Sequence, residues 1–365
     1  MRPTPSRSKG RTARKLPVNR YHRQTLLPQI GDAGQTRLAA ARVLLIGCGA
    51  LGGQIAEQLV RAGLGFLRLV DRDIVELTNL QRQVLFDENH ARANWPKAAA
   101  AAERLAAINS TVTVDPHIVD AHAGNIETLA GMDDLLPGGP VHLILDGTDN
   151  VATRYLLNDV AVKHRVPWVY GACVGTEGRV MAIQPAHSPC LRCIFPTPPR
   201  PADLPTCDTA GVLGPAAAVV ASLQVVAAIK LLTGHSAAQP DELLSLDLWS
   251  NRFHQTSLTD AKRPECPCCG LRRFEFLSHP PDESNVTLCG RDAVQVRGAG
   301  PIDLDTLTAR WQPLGPVERT RFFLRCPLTD PPNIRLTLFP DGRLIVQGTR
   351  DPVRAKSLYA RFVGL

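Results

Sequence analysis

A stretch of acidic, amide and basic residues follows the hydrophobic run "GFLRLV" in the first quarter of the chain. It reads "DRDIVELTNLQRQ" at 71–83. An acidic residue at the end of such a strand usually binds ribose hydroxyls, and this is the role we expect for Asp71. Asn79, Arg82 and the later Lys97 are donors that a ribose does not need. Together they are typical of a clamp for the phosphates of a triphosphate.

A glycine-rich turn precedes this stretch. "GCGALGG" at 47–53 follows an apolar run and matches G-x-G-x-x-G through Gly47, Gly49 and Gly52. Glycines allow a tight strand-to-helix turn and let phosphate oxygens approach the N–H groups at a helix N-terminus. Asp71 lies 19 residues after Gly52, which is the usual spacing for a ribose-binding carboxylate. The pattern indicates adenine-nucleotide binding, although a tight turn without a ligand would read the same way.

A second acidic motif, "DGTDN" at 146–150, follows the apolar run "VHLIL". A carboxylate just beyond the C-terminal end of a buried strand lies on the ligand side of an open α/β sheet. Mg²⁺ prefers one or two carboxylates together with phosphate oxygens, so Asp149 is a candidate magnesium ligand. The alternative is that Asp149 caps the following helix, a role that Asn150 could also fill.

Four cysteines have the spacing of a metal site. Cys190 and Cys193 in "SPCLRCIF" pair with Cys266 and Cys269 in "ECPCCG" as two C-x₂-C units. Four thiolates suit a closed tetrahedral Zn²⁺ site, which stabilises a fold rather than doing chemistry. The two units are too far apart for a local zinc ribbon and would meet only in the folded chain. Cys268 lies between two of these cysteines and could replace either.

Cys207 is a candidate of another kind. It ends the Pro-rich segment "FPTPPRPADLPTC" and precedes a helix pattern. A thiol placed there is exposed, and the helix dipole favours its nucleophilic thiolate form. On position alone, a bystander thiol is an equal alternative.

Alternating patterns from residue 42 predict the elements that position these residues. Strands are expected at "RVLLIG", "FLRLVD", "TVTVDPHIV", "VHLILDGTD" and "PWVYGA", with helices near 51–62, 96–109, 124–131, 150–165 and 214–232. This alternation is the signature of a parallel sheet wrapped by helices. Hairpins are expected at "GTEGRVMAIQP" and at 334–348, around a Pro-Asp-Gly turn, before a last helix in "DPVRAKSLYARFV". The predicted fold class is α/β, a Rossmann-like sheet followed by a small C-terminal α+β domain.

The charge pattern divides the chain further. Residues 1–20 hold seven of the 41 Lys and Arg and none of the 34 acids, which leaves the remainder balanced. Nothing in that neutral body indicates nucleic acid as a partner. We predict a disordered basic tail at 1–19, an ATP-binding domain with the zinc site at 20–270, and the small domain at 285–365.

The cellular location is inferred from the cysteines and the apolar segments. The tail lacks the apolar run of a secretory signal, and ten cysteines without such a signal indicate a reducing compartment, which points to the cytoplasm. The apolar segment at 214–232 is interrupted by Ser222, Gln224 and Lys230. We therefore expect a buried or interface helix and no membrane span.

Taken together, these motifs resemble the ThiF/MoeB/HesA family of the ubiquitin-activating-enzyme superfamily, whose members adenylylate ubiquitin-like sulfur-carrier proteins. The resemblance covers about residues 20–270 through "RYHRQ", "GCGALGG", "LVDRDIVELTNLQRQ", "WPKAAAA", "LDGTDN", "PCLRC" and "CPCCG", in the family's order. It implies that Asp71 binds ribose and that Asn79, Arg82 and Lys97 hold the phosphates of ATP. It also implies Mg²⁺ on Asp149 and structural Zn²⁺ on the four cysteines.

Two further roles follow only from the resemblance. Arg23 of "RYHRQ" would be supplied across the interface of a homodimer, and Cys207 matches a cysteine that in some members links covalently to the carrier. Residues 285–365 do not look like a rhodanese domain, because Cys289 in "LCGRDAV" lacks a persulfide-loop context. Sulfur would therefore come from a separate persulfide donor, and the C-terminal domain would serve carrier docking or dimer support.

The implied reaction is attack by the carrier's C-terminal Gly-Gly carboxylate on the α-phosphate of ATP. It gives a carrier acyl-adenylate and pyrophosphate, for later sulfur transfer in thiamine or molybdenum cofactor biosynthesis. One alternative is an NAD-dependent oxidoreductase, but Arg82 and Lys97 do not suit a neutral nicotinamide. The tRNA-modifying branch of the same superfamily is a second alternative, and it generally lacks the paired C-x₂-C units. A nucleotide-binding scaffold without activity is a third, which the combination of clamp and Asp149 disfavours.

Overall fold

The computed structural model describes residues 20–199, 207–278, 285–288, 292–298 and 300–364. The predicted disordered tail at 1–19 and Cys289 lie outside these ranges, so the expectations for them stay predictions. Two β-sheets account for the strands that the described residues form.

The first sheet has eight strands in the order β3-β2-β1-β4-β5-β6-β7-β8. Its strands are β1 (Arg42–Ile46), β2 (Phe66–Val70), β3 (Thr113–His117), β4 (Leu143–Asp146), β5 (Trp168–Val174), β6 (Glu177–Ile183), β7 (Glu242–Asp247) and β8 (Arg252–Ser257). The first five are parallel and the last three are added antiparallel. Pro116 is tolerated within β3 because β3 lies at the edge of the sheet, where a missing N–H breaks no ladder.

Helices cover this sheet. They are α1 (His22–Thr25), α2 (Gly31–Ala40), α3 (Ala50–Ala62), α4 (Glu88–Arg92), α5 (Lys97–Ile108), α6 (Ile126–Leu129), α7 (Val151–His164), α8 (Leu191–Ile194), α9 (Cys207–Ala210), α10 (Gly214–Leu232) and α11 (Glu275–Ser278). Short 3₁₀ turns lie at Leu77–Asn79, Ser236–Ala238 and Gln312–Leu314. The predicted parallel sheet wrapped by helices is confirmed, and the predicted helices lie within a few residues of the observed ones.

The prediction of a hairpin within "GTEGRVMAIQP" is wrong. Residues 177–183 of that segment form one strand, β6, which pairs with the preceding β5 instead of folding back on itself. The chain reverses earlier, at Gly175, whose φ of 61° is a left-handed conformation that glycine adopts without strain. Of the two glycines in the segment, Gly175 makes the turn and Gly178 lies within β6.

Helix α10 is long and apolar enough to cross a membrane by length and composition alone. In this structure it packs against α3, β5 and β6. Gln224, one of its polar residues, is fully buried and donates from Nε2 to the backbone oxygen of Asp146 at 2.8 Å. The helix is therefore part of the core beneath the sheet, as the polar interruptions in its sequence predict.

The C-terminal residues form a second, antiparallel sheet in the order β11-β12-β13-β14-β10-β9. Its elements are β9 (Asn285–Leu288), β10 (Ala293–Val296), α12 (Leu304–Trp311), β11 (Glu318–Arg319), β12 (Leu324–Pro327), β13 (Arg335–Leu338), β14 (Leu344–Gln347) and α13 (Pro352–Phe362). Trp311 is fully buried and donates from Nε1 to the backbone oxygen of Phe362 at 2.9 Å, which ties the two helices together. The predicted hairpin at 334–348 and the last helix are confirmed.

Candidate active site and metal centre

A crevice opens between the ends of β1 and β4. These two strands are neighbours in the sheet although β2 and β3 lie between them in the sequence, so the strand order reverses direction there. At such a switch point the loops that follow the two strands diverge and leave room for a ligand. The residues predicted for nucleotide binding that line the crevice are Gly47, Gly49, Asp71, Arg82, Lys97 and Asp149.

The three glycines have different roles in the turn after β1. Gly47 has a φ of 90°, and a Cβ there would lie 2.5 Å from the backbone oxygen of Gly147. A Cβ on Gly52 would lie 1.9 Å from the backbone oxygen of Gly47, so Gly52 lets α3 pack on the turn. A Cβ on Gly49 would meet only Gln83 Nε2, at 3.7 Å, which leaves the space open for a ligand. Gly47 and Gly52 thus serve the backbone, and Gly49 serves the crevice.

Asp71 begins the loop after β2. Its two carboxylate oxygens accept backbone N–H groups, Oδ2 from Cys48 at 2.7 Å and Oδ1 from Asp73 at 2.7 Å. Burial raises the pKa of Asp71, and the charge of Lys97 opposes that rise. Each carboxylate oxygen can accept a second hydrogen bond, so the same group can hold the glycine turn and bind ribose hydroxyls.

The predicted phosphate donors divide into two that reach the crevice and one that does not line it. Lys97, buried at the start of α5, pairs with Asp73 at 3.1 Å. Arg82 donates from Nη1 to the backbone oxygen of Thr78 at 2.9 Å, and a guanidinium with five N–H donors keeps others for phosphate. Asn79 is buried, and its Oδ1 accepts the N–H of Glu76 at 3.1 Å. Its phosphate contact stays a prediction.

Asp149 is not the cap of the helix that follows it. The N-cap of α7 is Asn150, whose side chain accepts the N–H of Thr153 at 3.3 Å. Of the two candidates for that role, the structure thus uses Asn150 and leaves Asp149 in the crevice wall. One carboxylate in the same crevice as Lys97 and Arg82 fits Mg²⁺, since the ion takes one or two carboxylates together with phosphate oxygens.

A buried ion pair stabilises the loop between β4 and α7, which carries Asp149. The sequence motifs did not reveal this pair. Asp146 is fully buried and accepts Arg154 Nε at 3.0 Å, while Arg154 Nη2 donates to the backbone oxygens of Thr148 and Gly171. Burial raises the pKa of Asp146, and the Arg154 charge opposes that rise. The first Asp of "DGTDN" therefore orders the loop that presents the second, Asp149. Its position at the very end of an apolar run was the available signal.

Gln83 is a second residue that sequence reasoning missed. It lines the crevice and is 4% exposed, yet its Oε1 has no hydrogen-bond partner among the residues that the structure describes. A buried amide oxygen without a partner is costly, and a bound ligand is one way to satisfy it. Its place directly after Arg82 in "QRQ" was the only sequence signal.

Of the other two predicted catalytic residues, one does not line the crevice and the side chain of the second is not described. Arg23 lies on α1 and is exposed. Cys207 begins the four-residue helix α9, and its side chain lies outside what the structure describes. The roles of both residues stay predictions.

The four predicted metal ligands lie close together, although the two C-x₂-C units are 76 residues apart in the sequence. The Sγ atoms of Cys190, Cys193, Cys266 and Cys269 all lie within 4.8 Å of one another. The distance between Sγ atoms is 3.9 Å for Cys190 and Cys193, 3.6 Å for Cys190 and Cys266, and 3.4 Å for Cys193 and Cys269. Tetrahedral zinc with Zn–S bonds of about 2.3 Å places sulfurs about 3.8 Å apart, so the cluster fits the ion.

Cys268 is not part of that group. It is fully buried, and its Sγ accepts Asn158 Nδ2 at 3.2 Å. The Oδ1 atom of Asn158 accepts the N–H of Leu191 at 2.9 Å. One buried amide on α7 thus contacts both cysteine loops.

Comparison with known proteins identifies the family. Residues 21–268 of the 365 match the ThiF family. A sulfur carrier protein ThiS adenylyltransferase of Bacillus subtilis is 41% identical over 350 residues, which cover 95% of this chain and 100% of the relative. A sulfur carrier protein adenylyltransferase of Thermus thermophilus is 39% identical over 262 residues, covering 70% of this chain and 92% of the relative.

Two further matches cover a smaller share of the matched protein. MOCS3 of Danio rerio, an adenylyltransferase and sulfurtransferase, is 36% identical over 253 residues, and the match covers 69% of this chain but 53% of the relative. Among solved structures, E. coli MccB with ATP matches with a TM-score of 0.58 and 20% identity over 70% of this chain and 75% of that chain. At that identity the likeness shows the fold alone. The family match covers more than half of the chain, and the Bacillus relative is similar along almost all of it, so the chain belongs to the ThiF family.

Proposed function

We propose that the protein uses ATP to adenylylate the C-terminal glycine of a ubiquitin-like sulfur-carrier protein, with release of pyrophosphate. One observation carries the proposal. A single crevice is lined by a ribose-type carboxylate, two phosphate-type cations and a carboxylate that no helix cap uses. The names of the relatives 41% and 39% identical to this chain support the same activity.

The reaction needs positioning and charge neutralisation more than acid–base chemistry. The attacking group is the carrier's C-terminal carboxylate, which is already ionised at neutral pH and needs no general base. Arg82 and Lys97 would stabilise the charge that builds up on the α-phosphate and on the leaving pyrophosphate. The ion pair with Asp73 holds the Lys97 ammonium in place before the nucleotide arrives. Mg²⁺, held by Asp149, would supply further positive charge on the phosphate oxygens.

Zinc is proposed as a structural ion on Cys190, Cys193, Cys266 and Cys269. Four thiolates complete the coordination of the ion and leave no position for a substrate. The two cysteine loops contact Asn158 of α7, the helix that begins next to Asp149. The ion would thus stabilise one wall of the active site without taking part in the reaction.

The carrier adenylate is proposed to accept sulfur from a separate persulfide donor, in thiamine or molybdenum cofactor biosynthesis. A cytoplasmic location is part of the proposal, because thiolate ligands persist in reducing compartments. We also propose a homodimer in which Arg23 reaches the crevice of the partner subunit. The exposed side chains of Leu26 and Leu27, 66% and 50% accessible, follow Arg23 and suit a face that is covered in an assembly.

The test is adenylylation of candidate carriers. The protein is incubated with MgATP and each Gly-Gly-ended carrier of the same organism, and intact-mass measurement shows whether AMP has been added. Arg82→Ala is expected to lose at least about 100-fold in rate, because it removes a charged donor from the reacting phosphates. Arg92→Ala is the matched control, since Arg92 is an exposed arginine paired with Glu88 outside the crevice. Absence of the adduct with every carrier would reject the proposal.

A further inference from the structure

The second sheet packs against the loop that carries Asp71. Ile74, three residues after Asp71, is 5% exposed and belongs to a small apolar cluster. Its buried partners there come from the second sheet and its turns: Ala293, Phe323, Phe339 and Ile345. Burial of the isoleucine side chain stabilises this contact. The loop after β2 is therefore attached on one side to the crevice and on the other to the second sheet.

Arg343 holds the backbone of the same loop. It lies just before β14, is 2% exposed, and donates from Nη1 to the backbone oxygen of Arg72 at 2.7 Å. Its guanidinium lies 4.0 Å from the ring centre of Phe339 and is also hydrogen-bonded by Nε to Asp341 at 3.4 Å. Together with a hydrogen bond from Nη1 to Gln295 Oε1 at 3.3 Å, these contacts fix the guanidinium itself. The carbonyl that it binds lies between Asp71, the ribose carboxylate, and Asp73, the partner of Lys97.

Arg297 contacts the crevice wall through the carboxylate of Asp120. Asp120 accepts Arg72 Nη1 at 3.1 Å and Arg297 Nη2 at 2.9 Å. Arg72 and Asp120 both line the crevice, whereas Arg297 follows β10 of the second sheet and does not line it. Although burial acts to raise the pKa of Asp120, the charges of Arg72 and Arg297 keep it below its usual value. The carboxylate is therefore ionised and shared by two arginines.

This bridge adds positive charge to a crevice wall that also carries the carboxylates of Asp71, Asp73 and Asp149. Arg72, Asp120 and Arg297 together carry one positive charge, and without Arg297 the remaining pair is neutral. ATP is strongly anionic, so the extra charge favours binding, and its effect is weakly screened because the groups are half-buried or buried. Loss of Arg297 would also leave Asp120 free to turn, and with it the Arg72 side chain that it orients.

We propose that Arg297 and Arg343 of the second sheet are positioning residues for ATP, acting through Asp120 and through the backbone of Arg72. Neither arginine touches the nucleotide. The second sheet then holds the loop after β2 in place on the ribose side of the site, in addition to any role in carrier docking. The inference rests on the proposed use of ATP, but not on which carrier is adenylylated.

Calorimetric titration of the full chain with MgATP, without carrier, tests whether Arg297 and Arg343 position the site. Arg297→Gln is expected to raise the Kd for MgATP about tenfold, within the range common for coupling between sites. Arg297→Lys keeps the charge beside Asp120 and is expected to stay within about threefold of the natural protein. In an Asp120→Asn background, Arg297→Gln is expected to add no further loss, because the bridge is already broken. Arg343→Gln is expected to weaken binding similarly.

The matched control is Arg325→Gln. Arg325 is a 6% exposed arginine of β12 that pairs with Glu318 and does not line the crevice. Its loss is expected to lower the melting temperature while leaving the Kd for MgATP within twofold. Equal Kd values for Arg297→Gln and the natural protein would overturn the inference, even if Arg343→Gln fails to fold. A natural protein that binds no MgATP would overturn the proposed function as well, whereas MgATP binding without carrier adenylylation would leave the inference standing.

Discussion

Single residues around the crevice separate into those that shape the backbone and those that face the ligand. Gly52 and Gly47 approach each other so closely that a side chain on Gly52 would overlap a carbonyl oxygen. Gly49 has the same residue type in the same motif, yet its missing side chain leaves space only in the crevice. Identical letters in G-x-G-x-x-G thus have different physical reasons, which substitutions can separate.

Alanine at these two glycines is expected to give opposite outcomes. Gly52→Ala should lower the free energy of unfolding by about 3 kcal/mol, because its Cβ would lie 1.9 Å from a backbone oxygen that cannot move away. Gly49→Ala should fold normally and bind MgATP at least about tenfold more weakly. Thermal unfolding and calorimetric titration of both variants measure the two effects. Normal ATP affinity in Gly49→Ala would show that phosphates do not pass this position.

At the scale of elements, buried polar contacts hold the strand ends and α7 in register. The Asp146–Arg154 pair links the end of β4 to α7 and to the backbone of β5. Asn158, further along α7, binds both cysteine loops. The helix that starts beside Asp149 is therefore fixed at two points, of which the cysteine cluster is the more remote from the crevice.

Removal of one cysteine of the cluster is expected to remove the metal and destabilise the fold. The natural protein should purify with about one zinc ion per chain, whereas Cys266→Ser should hold little zinc and lose about 4 kcal/mol of stability. Elemental analysis and denaturant unfolding measure both. Cys326→Ala, a buried cysteine of the second sheet, is the control that should keep its zinc. Full zinc content in Cys266→Ser would contradict the assignment of the cluster.

A cross-strand ion pair makes stability depend on acid. Asp115 of β3 accepts His117 Nε2 at 3.1 Å and lies 2.8 Å from Arg68 of β2, and these contacts lower its pKa from 3.8 to about 2. The stabilisation is present above pH 3.8 and is lost as the pH falls toward 2. Since Asp115 is one-third exposed, we expect it to contribute about 1 kcal/mol.

Unfolding by urea between pH 6 and pH 2.5 tests this contribution. The natural protein should lose about 1 kcal/mol more over that range than Asp115→Asn does, because asparagine does not titrate. Asp260→Asn, at an exposed turn, is the control and should follow the natural protein. Parallel curves for all three proteins would show that the ion pair contributes nothing measurable.

For the whole molecule, the crevice draws on distant parts of one chain and, as we propose, on a second chain. The backbone oxygen of Arg72 is bound by Arg343, 271 residues later. Arg23 is exposed and does not line the crevice of its own chain, so a catalytic role for it requires a partner subunit. Complementation between inactive variants distinguishes this arrangement from an inert surface arginine.

Mixtures of Arg23→Ala and Lys97→Ala are expected to regain activity that neither variant has alone. In a mixed dimer one site keeps Lys97 and receives a natural Arg23 from the other chain, so random exchange should restore about one quarter of the sites. Carrier adenylylation after subunit exchange measures the gain. Lys97→Ala mixed with Asp149→Ala is the control, because both residues belong to the same crevice and no complete site can form. Equal inactivity of the two mixtures would count against a contribution across the interface.

The sequence by itself determined the α/β class, the glycine turn, the location of Asp71 and Asp149 after two strands, and the pairing of the two C-x₂-C units. These features depend on short-range rules: strand and helix periodicity, backbone freedom at glycine, and ligand spacing within a few residues. Only the tertiary structure decided which helix cap is used beside Asp149, that Lys97 pairs with Asp73, and that Arg343 binds the loop after β2. The same holds for Gln83 Oε1, which has no hydrogen-bond partner within the described part of the chain. A polar residue in a loop carries no periodic signal of its partner, because that partner is chosen by distance and burial in the folded chain.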